Sequence, residues 1–199
     1  MKKNFIKLSV IIFSFAVVSC SKEATSPSGG SDITGNYKFI SLQAKTTTTA
    51  QTSSSAGNFR VVSTSDYTTQ KNSGSVTISA SKFTSNNLAY SVNTIANITL
   101  YNQGVVETTY PTPFQLDVPA SSGSASYKRV NADSIYFESG SIVMADNTMS
   151  SQPSGARIKV ENGNLVLTSN VLQTSTTRSQ NETITQTAQA TTVITLQKQ

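Results

Sequence analysis

The sequence predicts an all-β protein, most simply an antiparallel up-and-down barrel of about ten strands, with a two-sheet β-sandwich as the alternative. Three observations predict it. From Gly35 onward apolar residues recur at every second position. The clearest run is Leu88 to Tyr101, with Leu88, Tyr90, Val92, Ala96, Ile98 and Leu100 on one face and Ser91, Asn93, Asn97 and Thr99 on the other. Such alternation marks a half-buried strand. Asn102-Gln103-Gly104 and Asn162-Gly163 fall between runs and supply the positive-φ residues that tight hairpins need. The chain also holds 32 Ser and 28 Thr, and β-branched threonine suits a half-exposed pleated surface.

Taken in order, strands are expected at 36–49, 58–69, 74–84, 88–101, 104–118, 124–130, 133–139, 156–161, 164–176 and 182–197. Val76, Ile78 and Ala80 set the phase of the third, Ile158 and Val160 of the eighth, and Leu165 and Leu167 of the ninth. Ile184, Ala188, Ala190, Ile194 and Leu196 set that of the last. Several of these exceed the usual length of about 5–6 residues, and long hairpin-linked strands with one apolar face close most simply into a barrel. If ten strands alternate in direction, the connections 50–57, 85–87, 119–123, 140–155 and 177–181 lie at the end remote from the start of the first strand. Connections 70–73, 102–103, 131–132 and 162–163 lie at the near end. Closure would pair the last strand with the first, setting Thr183, Thr185 and Thr187 beside Thr46 to Thr49. The remote rim, with Gly140 to Gly155 as a lid, is the expected recognition surface, since long loops carry binding more often than tight turns.

Ahead of the strands lie two segments of different character. Residues 21–34 include Ser26-Pro27-Ser28-Gly29-Gly30 without apolar periodicity, which reads as a flexible tether. Before it, Lys2, Lys3 and Lys7 precede the apolar run Leu8 to Val18 and the small residue Ser19, the order of a secretory signal. That run of eleven residues is too short for a span, which needs roughly 20 apolar residues. Val17-Val18-Ser19-Cys20 resembles the lipobox of bacterial lipoproteins, and Cys20 is the only cysteine. The resemblance implies cleavage before Cys20, a diacylglycerol on its sulfur and an acylated new amino terminus. Two attached lipids exceed the one-chain anchoring that is only marginal. The expected organisation is therefore a signal over 1–19, a lipidated Cys20 and tether over 20–34, and one domain over 35–199, anchored to the bacterial outer membrane.

Gly35-Asn36-Tyr37-Lys38-Phe39 resembles the Gly-x-Trp opening of lipocalins and lipocalin-like lipoproteins, with Tyr37 in place of Trp. That resemblance implies a barrel closed at one end and open at the other over an apolar cavity. Tyr90, Val92, Ile98, Leu100, Val76 and Ile78 are the side chains expected to line it. The function expected is a non-enzymatic binding module for a small apolar or amphipathic ligand, or for an envelope or surface partner at the rim. The alternative is a structural or adhesive surface protein with a filled core and exposed edge strands.

Charge and chemistry narrow the classes further. Losing Lys2, Lys3 and Lys7 with the signal lowers fifteen basic residues to twelve against ten acidic, net +2. The remaining cations are scattered singly apart from Lys128-Arg129, so no nucleic-acid partner is expected. Without histidine, and with its one cysteine assigned to lipid, the chain offers no Ser-His-Asp or Cys-His nucleophile and no His or Cys metal site. No catalytic residue, metal or cofactor is therefore expected. Asp133-Ser134-Ile135 fits a bacterial O-glycosylation pattern, which makes Ser134 a candidate modification site.

Overall fold

The computed structural model describes residues 30–55, 57–138, 153–179 and 182–199. The signal segment, Cys20 and most of the expected lid from Gly140 lie outside the described residues. Nine strands are present: β1 (Gly35–Ser54), β2 (Gly57–Thr68), β3 (Gln70–Ile78), β4 (Lys82–Asn102), β5 (Val105–Asn131), β6 (Ser134–Phe137), β7 (Ser154–Glu161), β8 (Asn164–Arg178) and β9 (Glu182–Lys198). They form a single antiparallel sheet rather than two, in the order β2-β1-β3-β4-β5-β6-β7-β8-β9, and the pairing of β1 with β9 closes it into a ring.

Strand number and direction differ from the expectation. β2 and β3 run the same way: β2 pairs with the far part of β1, Ser54 opposite Gly57 through Gln43 opposite Thr68, and β3 with its near part, Gly35 opposite Ile78. Residues 70–73 are thus an interruption in one descending path, not a turn. Lys71 and Gly74 carry positive φ and use it in a bulge. The true reversal is at 79–81, inside the expected third strand, where the Ser79 N–H donates to the Lys82 carbonyl at 2.9 Å. The expected fifth and sixth strands are one, β5. Residues 85–87 and 119–123 are bulges within β4 and β5, so the 102–103 hairpin belongs to the end remote from Gly35.

These irregularities line up. β1 shifts register between Phe39 and Ser41, β3 between Gln70 and Ser75, and β4 between Ser85 and Leu88 against β5. At each the buried phase changes, from Tyr37 and Phe39 to Leu42 and Ala44, and from Phe83 and Ser85 to Leu88 and Val92. A bulge adds an unpaired residue and bends the strand, so four neighbouring paths bend at one level. Gly74 makes this possible, since a Cβ there would stand 2.5 Å from the Asn87 carbonyl oxygen at φ +97°. At the same level Thr69 ties the path back to β1. Its N–H donates to the Leu42 carbonyl, and its hydroxyl accepts from the Leu42 N–H, both at 2.9 Å.

This waist separates two halves. In the near half all the paths, β6 and β7 included, surround a core of Phe39, Phe83, Tyr127, Ile135, Phe137, Leu165, Leu167 and Leu196. Phe83 meets Tyr127 and Phe137 edge-on, with centroids at 4.8 and 5.3 Å. The base is closed by the segment before β1. Ile33 is buried in the core, Tyr37 donates from its hydroxyl to the Ile33 carbonyl at 2.9 Å, and the Arg129 guanidinium donates to the Ser31 carbonyl at 2.9 Å. The last residues of the expected tether are therefore docked on the fold.

In the far half β6 and β7 are short and only β5, β4, β2, β1, β9 and β8 continue upward, in that order. Among the described residues the outer edges of β5 above the waist and of β8 from Asn170 to Arg178 have no strand partner. Pro111, Pro113 and Pro119 fit this edge, because a residue without an N–H is confined to edges and bulges.

Candidate ligand cavity

Above the waist the inward-facing positions keep their alternation but change in size. Across β2, β1, β9 and β8 one level reads Ser65, Thr46, Ala190 and Val171, each opposite the next. The level above begins Ser63, Thr48 and Ala188. Below the waist the same strands present Phe39, Leu196 and Leu165. Aromatic and leucine side chains fill the near half, while alanine, serine and threonine leave the centre of the far half unfilled. The result is a cavity of about 750 Å³, bounded by Leu42, Ala44 and Tyr90 toward the core.

The walls are chemically unequal. β1 and β2 present Thr46, Thr48, Ser63, Ser65 and Tyr67, with the Thr46 and Ser65 hydroxyls hydrogen-bonded at 2.7 Å. β5 presents Phe114, Leu116 and Val118, and β8 and β9 present Val171, Ala188 and Ala190. Phe114 and Leu116 remain 40% and 44% exposed, so their apolar surface is still available to a ligand. Burial raises the pKa of both Tyr67 and Tyr90, and in Tyr90 the neighbouring Tyr67 adds to it. Both phenols are thus uncharged at neutral pH. Among the described residues no Lys or Arg lines the cavity, and Asp117 is the only carboxylate beside it. Asp117 lies between Leu116 and Val118 on β5, and strand alternation directs its side chain to the opposite face.

The six residues expected to line a cavity separate by height. Tyr90 lines it, tilted against Phe39 at a centroid distance of 6.1 Å. Val76 and Ile78 lie in the solid core of the near half, and Val92 is buried on β4. Ile98 and Leu100 are half-buried higher on β4, away from the cavity wall. The expectation favoured large apolar side chains, and those fill space. The signal that finds the cavity is the small size of inward residues at Ala44, Thr46, Ser63, Ser65, Ala188 and Ala190. The expected threonine seam is present in outline, with Thr49 opposite Thr187, but Thr185 meets Gln51 and Thr183 meets Ser53. β1 runs on to Ser54, beyond the expected end at 49, so the last threonines of β9 meet Gln51 and Ser53 rather than Thr46 to Thr48.

Ser134 opens β6, its hydroxyl donating to the Asn131 side-chain carbonyl at 2.7 Å. Among the described residues no three His, Cys, Asp or Glu side chains cluster as metal ligands. Comparison with protein-family models, curated proteins and solved structures finds no match to this chain.

Proposed function

We propose that this chain is a non-enzymatic binding module, a lipocalin-like barrel held to the bacterial outer membrane by lipid on Cys20, that takes a small apolar or amphipathic molecule in its far half. The observation that carries the reading is the cavity of about 750 Å³ above a solid core. Its size falls within the roughly 300–1,000 Å³ of small-molecule sites, which are mostly apolar with a few placed polar groups. The direction of the chain supports the anchoring. Ser31 is docked at the packed base, and about ten residues of sequence separate it from Cys20. The half that holds the cavity would then lie farther from the lipid than the packed base.

The chain has no tryptophan, so Val171→Trp places a single indole reporter on the cavity wall. Titration with an apolar ligand should give a saturable blue shift; a flat emission spectrum would remove the binding reading. For the anchor, Cys20→Ser should abolish incorporation of labelled palmitate and release the protein from the membrane fraction. An adhesive or structural role is favoured by one observation, the edge Asn170–Arg178, which lacks a strand partner among the described residues and carries Leu172 at 72% exposure. Self-association abolished by Leu172→Lys, without any indole response in the Val171→Trp protein, would establish that role instead.

A further inference from the structure

The unequal walls constrain what the cavity accepts more narrowly than its volume does. Resting on the ligand-binding reading, we infer that the cavity selects uncharged single-chain amphiphiles. Their polar group lies on the β1–β2 wall at Tyr67, Thr46 and Ser65, and their hydrocarbon lies against Phe114, Leu116 and Val171.

Charge gives the first step. Among the described residues an anionic headgroup would meet no lysine or arginine in the lining. Burying an ion without a partner is costly, whereas a neutral polar group needs only its hydrogen bonds. A cationic headgroup fares no better, because Asp117, the one carboxylate beside the cavity among the described residues, faces away by strand alternation.

The second step is hydrogen-bonding capacity. The Tyr67 hydroxyl makes no hydrogen bond among the described residues, and the single bond between the Thr46 and Ser65 hydroxyls leaves one of those two O–H groups free to donate. The Tyr67 hydroxyl is then a donor to spare beside that pair. An ester carbonyl or alcohol accepts from it, and the hydroxyl pair beside it can donate or accept in turn. Tyr67 is opposite Ala44 and two residues from Ser65 on the same face of β2, so the three hydroxyls form one patch. Small side chains around that patch leave space for a headgroup, and β5 and β8 carry the bulkier apolar side chains that a chain of methylenes would meet.

The test uses the full chain carrying Cys20→Ser, which removes the attached lipid as a competitor. Diphenylhexatriene, a hydrocarbon without polar atoms, is the reporter. It is displaced by three competitors of equal chain length: monolauroylglycerol, laurate and dodecyltrimethylammonium. The neutral glyceride should displace it at a concentration at least tenfold lower than either ion. Equal displacement by laurate or by the ammonium would overturn the selection for neutral headgroups. Tyr67→Phe should weaken monolauroylglycerol by about three- to tenfold, the size of one net hydrogen bond, and leave diphenylhexatriene binding unchanged. An unchanged glyceride affinity in Tyr67→Phe would overturn the placement of the polar group. Absence of any diphenylhexatriene signal would overturn the ligand-binding reading itself, an outcome distinct from the other two.

Discussion

The near and far halves of this sheet are built from the same strands and the same alternation, yet one is solid and the other hollow. Their difference is side-chain volume. Along β1 the inward residues pass from Tyr37 and Phe39 below the waist, through Leu42 at its level, to Ala44, Thr46 and Thr48 above it. Along β9 they pass from Leu196 and Ile194 to Thr192, Ala190 and Ala188. Period-2 patterning alone therefore places a strand and a face, whereas the size of the residues on that face decides between core and cavity. The bulges at the waist add the second ingredient, bending four paths together where the volume changes.

The comparison is broken most severely by deleting the same side chain in each half. Leu165 is fully buried and pairs with Val160 and Leu196. Leu165→Ala should destabilise the fold by about 2–5 kcal/mol, the cost of lost transfer plus an unfilled cavity. Leu172, seven residues along β8, is 72% exposed, and Leu172→Ala should shift stability by less than about 0.5 kcal/mol. Chemical denaturation of the two variants checks both, and equal losses would mean that the face carrying Leu172 is covered in solution.

A smaller effect tests the waist itself. Gly74→Ala forces a side chain into φ +97° and against the Asn86 and Asn87 carbonyl oxygens at 2.7 and 2.5 Å. Backbone strain of this kind costs on the order of 1–3 kcal/mol. The loss should appear as a lower denaturation midpoint with ligand affinity reduced alongside, because the bulge shapes the floor of the cavity. A neutral substitution would show that the bend does not depend on this close approach.

The all-β class was legible in the sequence because alternation survives in both halves, and the first–last pairing followed from closure. The path at 70–74 was not. Asn-Ser-Gly chemistry serves a hairpin and a bulge equally well, since both need positive φ, and only the pairing of β3 with the base of β1 distinguishes them. The reversal at 79–81 was hidden for the opposite reason. Ser79-Ala80-Ser81 contains no Gly, Pro or Asn, and Ala80 continued the apolar phase of Val76 and Ile78. Once that turn was misplaced, direction parity put the 102–103 hairpin at the wrong end. For the candidate cavity, Tyr90 was legible as an inward aromatic on a long strand. The small residues that make room for it were not, because alanine and serine carry little weight in a search for apolar lining.

The finest test sets two tyrosines of each half against each other. Tyr37 and Tyr127 in the near half, and Tyr67 and Tyr90 at the cavity, all have pKa values raised above the ordinary 10, with burial the largest cause in each. A phenol that ionises later in the folded than in the unfolded state favours folding fully below its unfolded pKa. That contribution is lost as pH rises from about 10 through the folded value. Alkaline unfolding, followed by circular dichroism, should therefore begin above pH 10, with these four phenols resisting ionisation in absorbance at 295 nm. The halves separate when the cavity is filled. Saturating monolauroylglycerol should delay ionisation of Tyr67 and Tyr90 further, by excluding water and by accepting a hydrogen bond that only the protonated Tyr67 can donate. It should leave Tyr37 and Tyr127 unmoved, because their hydroxyls already donate to the Ile33 and Ser79 carbonyls at 2.9 Å in the closed base. In Tyr67→Phe the ligand-dependent part of the titration should fall to the single step of Tyr90. A uniform shift of all four would instead report general stabilisation of the fold, without a ligand seated at the β1–β2 wall.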